Sequence, residues 1–286
     1  MGIAQAGTFK IGGELTVHRL GYGAMRLCGA GVWGQPTDRV DPAGVLRRCL
    51  ELGIDLIDTS DAYGPAVNED QIAAALRPYP AGLVIATKGG LTRPGPGTWV
   101  ADGRPERLDR CIDDSLRRLG VDTIDLYQLH AVDSRVPLAD SVGALARARE
   151  DGRIRHVGLS NVTAAQLDEA RAIVPIATVQ NRYNLTDRAH QPVLDRCAAL
   201  GVGFIPWYPL AAGSLSSGAE GTLADIAAAH GATTSQIALA WLLQKSPVML
   251  PIPGTSQVAH LEENVAAADI VLTGAQAAQL DGIVGV

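Results

Sequence analysis

Three apolar runs in this chain stop abruptly at a residue that can do chemistry. Leu56-Ile57 ends in Asp58, and Thr59-Ser60-Asp61-Ala62-Tyr63-Gly64 follows. Leu83-Val84-Ile85-Ala86-Thr87 ends at Lys88, and Ile124-Asp125-Leu126-Tyr127-Gln128-Leu129 ends at His130. A carboxylate at the end of a buried strand is costly unless it is paired. Lys88 is the partner the sequence offers. The same ammonium would lower the pKa of Tyr63, whose phenol, at about 10, is otherwise a poor acid at neutral pH. His130 can then hydrogen-bond a substrate oxygen. Together these groups suit the protonation of an oxygen that is becoming an alkoxide. The sequence presents neither a cluster of metal ligands nor a nucleophilic Ser or Cys with a paired His. The chemistry is therefore expected to be addition to a carbonyl, with the electron pair arriving from another molecule.

Such a site needs the three strand ends to meet at one mouth, and the rest of the chain supplies the scaffold. Thr8–Ile11 and Glu14–Val17 around Gly12-Gly13 predict a hairpin. From Pro42 onward, helices alternate with short apolar strands. Helices are expected over 42–52, 68–77, 105–119, 138–151, 163–173 and 191–200. Strands are expected over 56–58, 83–88, 124–129, 154–160, 178–182, 202–207 and 248–252. With Leu20–Gly23 as the first strand, this gives eight alternating units. Alternation of this kind means a parallel sheet, and eight units favour a closed (β/α)8 TIM barrel within the α/β class. An N-terminal β-hairpin and two extra helices late in the chain complete it, as a single domain over residues 1–286. The Thr-x-x-amide or acid signatures at Thr163, Thr222, Thr233 and Thr273 predict helix starts. Gly53, Gly120, Gly152 and Gly201 sit where left-handed C-caps are wanted. In a barrel, polar residues at the C-terminal ends of strands read as catalytic.

Gly29-Ala30-Gly31-Val32-Trp33-Gly34 matches G-x-G-x-x-G, but Gln35-Pro36-Thr37 follow where a helix should open. The stretch is read as a loop, from which Trp33 could line a pocket. The Pro/Gly-rich segment 89–103 is read likewise, with Trp99 as its aromatic. A net charge of −6 without a basic run argues against nucleic acid. No stretch approaches the ~18 apolar residues a membrane span needs. The N-terminus lacks the marks of a signal peptide. The cysteines at 28, 49, 111 and 197 show no CxxC spacing, so reduced thiols in a cytoplasmic protein are expected and no metal site.

These residues resemble the aldo-keto reductase superfamily over nearly the whole chain, from Gly21-Tyr22-Gly23 to Asn264. The carrying segments are 57–64, Thr87-Lys88, 125–130, Gly158-Leu159-Ser160-Asn161, Val179-Gln180-Asn181-Arg182-Tyr183-Asn184, and Pro253-Gly254-Thr255 through Glu262-Glu263-Asn264. The resemblance implies a barrel that binds NADPH across its mouth and reduces a small aldehyde or ketone. It implies a tetrad of Asp58, Tyr63 as proton donor, Lys88 and His130. Ser160, Asn161 and Gln180 look like the contacts to the nicotinamide carboxamide, and Trp207 stands in the place of a stacking tyrosine. Leu210, Gly213, Ser214 and Leu215 resemble the pyrophosphate loop. At the adenosine end, Gly254 and His260 replace the cations that many members use to clamp the 2′-phosphate. Thr255, Ser256, Gln257 and a helix N-terminus remain as neutral donors there, with Glu263 and Asn264 beyond. NADPH is expected over NADH, by a reduced margin. The glycine-rich start and short connections look like the compact bacterial branch, which includes pyridoxal reductases (pyridoxine 4-dehydrogenases). Two other readings share the fold. In a lysine-dependent aldolase Lys88 would form an imine, but the nicotinamide motifs would then have no use. A regulatory subunit like the potassium-channel β subunits would bind NADPH and turn over slowly.

Overall fold

Residues 2–37, 39–210 and 220–283 are described by the structure, a computed structural model. A hairpin comes first, β1 (Thr8–Ile11) against β2 (Leu15–His18), antiparallel, with Thr8 opposite His18. Then follow β3 (Tyr22–Gly23), α1 (Pro42–Glu51), β4 (Leu56–Asp58), α2 (Val67–Leu76) and β5 (Val84–Gly89). The loop after β5 holds a small ribbon, β6 (Leu91–Thr92) with β7 (Val100–Ala101). Next are α3 (Pro105–Leu119), β8 (Ile124–Leu129), α4 (Leu138–Glu150), β9 (Ile154–Ser160), α5 (Ala164–Arg171) and β10 (Ile176–Arg182). The chain continues through α6 (Gln191–Leu200), β11 (Gly203–Trp207), α7 (Glu220–His230), α8 (Thr234–Lys245), α9 (Val258–Ala266) and α10 (Gly274–Asp281).

Seven of the strands pair in the order β11-β10-β9-β8-β5-β4-β3, all parallel. The eighth run, 248–252, closes the ring. Phe204 N–H donates to Val248 O (2.7 Å), Leu250 N–H to Phe204 O (2.8 Å), and Gly21 N–H to Pro251 O (2.9 Å). Pro251 has no N–H to give, so this segment is held by isolated bonds rather than a full ladder. The result is a (β/α)8 barrel.

Side chains alternate across the strands as the period of two requires. Leu56, Val84, Ala86, Leu126, Ile205 and Leu250 point inward and meet Ile11 and Val17 of the hairpin, which lies across the N-terminal end of the barrel. Ile57, Ile85, Tyr127, Val157, Val179 and Phe204 face the helices. The floor and wall are therefore apolar, and polar residues are left to the opposite mouth.

The expected capping boxes are present at Thr163, Thr233 and Thr273. Thr222 is not a cap, because α7 begins two residues earlier, at Glu220. Gly120 and Gly201 end their helices in the left-handed region, as expected. The glycine-rich stretch at 29–34 is indeed a loop, and α1 starts only after Asp41, whose side chain accepts from Gly44 N–H. The β6–β7 ribbon was not expected: two residues per strand are too few to show a period. No helix among the described residues is long and apolar enough to cross a membrane.

Candidate active site

β4, β5 and β8 are adjacent and in register, with Asp58 beside Ala86 and Lys88 beside Gln128. Their hydrogen bonds continue past the strand ends, from Thr59 N–H to Ala86 O (2.8 Å) and from His130 N–H to Gly89 O (2.9 Å). Asp58, Lys88 and His130 are thereby delivered to one place, and Tyr63 joins them from the loop after β4.

Lys88 is fully buried. Its Nζ donates to Asp58 Oδ1 (2.5 Å), Thr59 O (2.8 Å) and Tyr63 Oη (3.3 Å), which uses all three of its protons. Burial acts to lower its pKa, but Asp58 and Tyr63 outweigh that and hold it above the ordinary value. A lysine so held stays an ammonium, which weighs against an imine. Asp58 Oδ2 accepts from two amides, Gln180 (2.8 Å) and Gln128 (3.2 Å). Gln180 was expected to address a nicotinamide; its NH2 is turned to Asp58, and the residue also lines the cavity. Gln128 had no assigned role. A strand glutamine pointing inward gives no signal until its neighbour is known to be a carboxylate.

Tyr63 departs from the expectation of an acidified phenol. Burial raises its pKa more than Lys88 lowers it, and Asp58 adds to the rise. The phenol therefore carries its proton through neutral pH. His130 is driven the other way, well below the usual imidazole value, by burial and by the charges of Lys88 and Arg93. It is neutral, with Nδ1 3.0 Å from Ser60 Oγ. Tyr63, His130 and Trp99 meet edge to face, their centroids 5.8 to 6.2 Å apart.

Arg93 was also missed. It lies in a loop whose composition reads as flexible, yet it is buried. Its guanidinium lies 3.6 Å from the Trp99 ring centroid and 5.7 Å from that of Trp33. It donates to Gly31 O (2.7 Å), Val32 O (2.9 Å), Ala62 O (2.8 Å) and Thr98 O (2.9 Å). One cation thus ties three mouth loops together. Trp99 lines the cavity; Trp33, expected to line it as well, is not among its lining residues and is bridged to Gly64.

The mouth is a cavity of about 510 Å³. Beyond the tetrad side, Ser160, Asn161, Gln180, Trp207, Leu210 and Gly254 line it, together with Tyr208, which was not anticipated. Asn161 has φ 59°, a left-handed conformation that Asn tolerates better than most residues. Its amide donates to His130 O (3.0 Å), and its Oδ1 accepts from Trp207 Nε1–H (3.0 Å). The indole is therefore held by its edge. Gly213, Ser214 and Leu215 lie outside the described residues.

The remaining expected contacts are spread along α9 and its approach. A Cβ at Gly254 would come within 2.7 Å of Gly23 O, so the backbone itself excludes a side chain there. Thr255 Oγ1 accepts from Gln257 N–H (3.1 Å). Ser256 lines a second hollow, of about 460 Å³, that shares Met25, Arg26 and Val32 with the main cavity. α9 begins without a side-chain cap. His260 is exposed in its first turn. Glu263 is turned away, accepting from Thr233 Oγ1 (2.6 Å), and Asn264 is buried.

The aldo/keto reductase family matches residues 19–284. The chain is 50% identical over 279 residues to an uncharacterized oxidoreductase of Schizosaccharomyces pombe, covering 97% of this chain and 90% of the relative. It is 45% identical over 282 residues to the pyridoxine 4-dehydrogenase of Escherichia coli, covering 96% and 98%. It superposes with a TM-score of 0.81 on an aldo-keto reductase from Klebsiella pneumoniae in complex with NADPH, at 28% identity over 96% of this chain and 94% of that one.

Proposed function

Because the chain belongs to the aldo/keto reductase family, we propose that it reduces a small aldehyde, with pyridoxal the first candidate, using NADPH and with Tyr63 as proton donor. The observation that carries this is Lys88 Nζ, bonded at once to Asp58 and Tyr63 with all three residues buried. Family membership makes the protein an NAD(P)H-dependent oxidoreductase acting on carbonyls; the donor and the substrate are our reading.

The residues at the mouth fit the cofactor. Ser160, Asn161 and Gln180 offer neutral hydroxyl and amide groups, which suit an uncharged carboxamide. The edge-held Trp207 offers a flat apolar face for a ring. The uncapped N-terminus of α9, with Thr255, Ser256, Gln257 and His260 around it, suits a phosphate. Bound NADPH supplies a hydride to the carbonyl carbon. As charge develops on the carbonyl oxygen, Tyr63 Oη gives it a proton. Lys88 then stabilises the phenolate left behind, and Asp58 keeps Lys88 charged and fixed. Neutral His130 orients the oxygen by a hydrogen bond, which an imidazolium would also do but at the cost of a third buried charge. Tyr63, Trp99 and Tyr208 give the substrate an aromatic enclosure, which suits a pyridine ring.

The test is turnover of pyridoxal and a panel of other aldehydes with NADPH, by wild type and Tyr63→Phe. The variant is expected to bind NADPH unchanged and to lose about 10²-fold or more in kcat. Wild-type kcat in the variant, with chemistry rate-limiting, removes Tyr63 from its role.

A further inference from the structure

Behind His130 a line of hydrogen bonds leads away from the cavity. His130 Nδ1 lies 3.0 Å from Ser60 Oγ, and Ser60 Oγ lies 3.3 Å from Asp61 Oδ1. Ser60 Oγ is also 3.3 Å from Lys88 O and accepts from Ala62 N–H at 3.1 Å. Ser60, Asp61 and His130 are all buried. A serine hydroxyl has one proton, and three acceptors surround this one. Where the proton points decides the state of the imidazole, because neutral His130 has one proton to place on two nitrogens. If Ser60 donates to Nδ1, the ring proton must sit on Nε2. If Ser60 donates to Asp61, it accepts from Nδ1–H, and Nε2 is bare. Since Ser60 takes Nδ1, Nε2 is the nitrogen left to face the cavity.

We propose that Ser60 and Asp61 are positioning residues that set the tautomer of His130. A protonated Asp61 turns Nε2–H toward the cavity, to donate to a carbonyl oxygen. An ionised Asp61 leaves Nε2 bare, to accept from an alcohol. The inference rests on the reading that His130 addresses the substrate oxygen.

The protons balance along the line. As Asp61 ionises, its proton passes to Ser60 Oγ, the Ser60 proton passes to Nδ1, and the Nε2 proton leaves at the cavity. One proton is lost overall, no heavy-atom bond changes, and Tyr63 keeps its own proton for the substrate.

The surroundings of Asp61 put this exchange in the physiological range. Its carboxyl is faced by Glu69 on α2, by Arg107, Cys111 and Arg118 on α3, and by Tyr127 on β8. Burial and Glu69 push it up to about 7, against the pull of Cys111, Arg118 and Arg107. Glu69 is itself committed to Arg118 (2.6 Å) and Thr87 (2.6 Å), so it is not free to partner Asp61. The backbone N–H of Asp61 donates to Lys88 O (3.1 Å), which fixes the carboxyl relative to the strand that carries Lys88.

The experiment is 15N NMR of the His130 ring in the full chain, titrated from about pH 5.5 to about 8.5, where Nδ1–H and Nε2–H tautomers give distinct shift pairs. Wild type is expected to pass from Nε2–H to Nδ1–H as pH rises through about 7. Asp61→Asn and Ser60→Ala should each show one tautomer at every pH. In parallel, kcat/KM for carbonyl reduction should bend downward near the same pH in wild type, by about tenfold, and show no bend in Asp61→Asn. A single pH-invariant tautomer in wild type, or a switch that survives in Asp61→Asn, overturns the proposal. The two readings separate cleanly. If wild type reduces no carbonyl with NADPH, the proposed function fails while the NMR titration still decides the relay. If it turns over with an invariant His130, only the relay falls.

Discussion

Lys88 is the residue on which the site depends, because it holds a carboxylate, a backbone carbonyl and a phenol at once. Lys88→Met keeps most of the volume and removes the charge. Carbonyl reduction should be lost, since the phenolate left by proton transfer would have no cation beside it. Asp58 would remain buried with only the amides of Gln128 and Gln180, and breaking such a pair costs about 3–5 kcal/mol. Asp58→Asn in the same background should recover part of the stability and none of the catalysis. Thermal melts and turnover assays on both variants check this; a Lys88→Met protein as stable and as active as wild type would dismantle the tetrad. That Asp58, Tyr63, Lys88 and His130 would come together was legible in the sequence, because each ends or follows an apolar run, where a polar group needs a reason. Gln128, Ser60 and Arg93 were not. Their roles are set by what lies across the fold from them, and no local pattern carries that.

The α9 segment shows how an element can correct a residue-level expectation. Gly254 looked like a place where a cation had been lost and could be restored. Its backbone instead lies so close to Gly23 O that any side chain forces the β3 end apart. Gly254→Lys should therefore lower the melting temperature without gaining affinity for NADPH. His260 stands exposed in the first turn of α9. His260→Arg should tighten NADPH more than NADH, since only NADPH carries the 2′-phosphate for a guanidinium to grip. Titration calorimetry with both cofactors decides it: equal gains would mean that position 260 does not face the phosphate. The helices themselves were readable from caps and periodicity, to within a few residues at most ends. The β6–β7 ribbon and the Arg93 clamp were not, because their order comes from hydrogen bonds between loops rather than from any repeating pattern.

Across the whole molecule, two buried titrations oppose each other. Asp61 holds its proton up to about 7, whereas the unfolded chain gives it up near 4. Its contribution to stability is full below that lower value and is lost as pH rises to 7. His130 stays neutral when folded, so the unfolded chain binds the extra proton below about 6.5, and stability is lost as pH falls. Asp61→Asn should therefore raise the melting temperature more at pH 8 than at pH 5; the reverse order in calorimetric scans would show that burial does not raise this carboxyl. The barrel was legible as eight alternating units. The hairpin was legible too, but not its place across the floor, which depends on partners from strands spread along the chain. Those distant partners matter during synthesis. The ring is fastened where Gly21, near the start, meets Pro251, near the end, by bonds that are few. A ribosome must deliver the chain as far as Pro251 before the strand at Gly21 can find this neighbour. Until then the nascent chain carries an open, apolar sheet edge, the kind of surface that chaperones exist to cover.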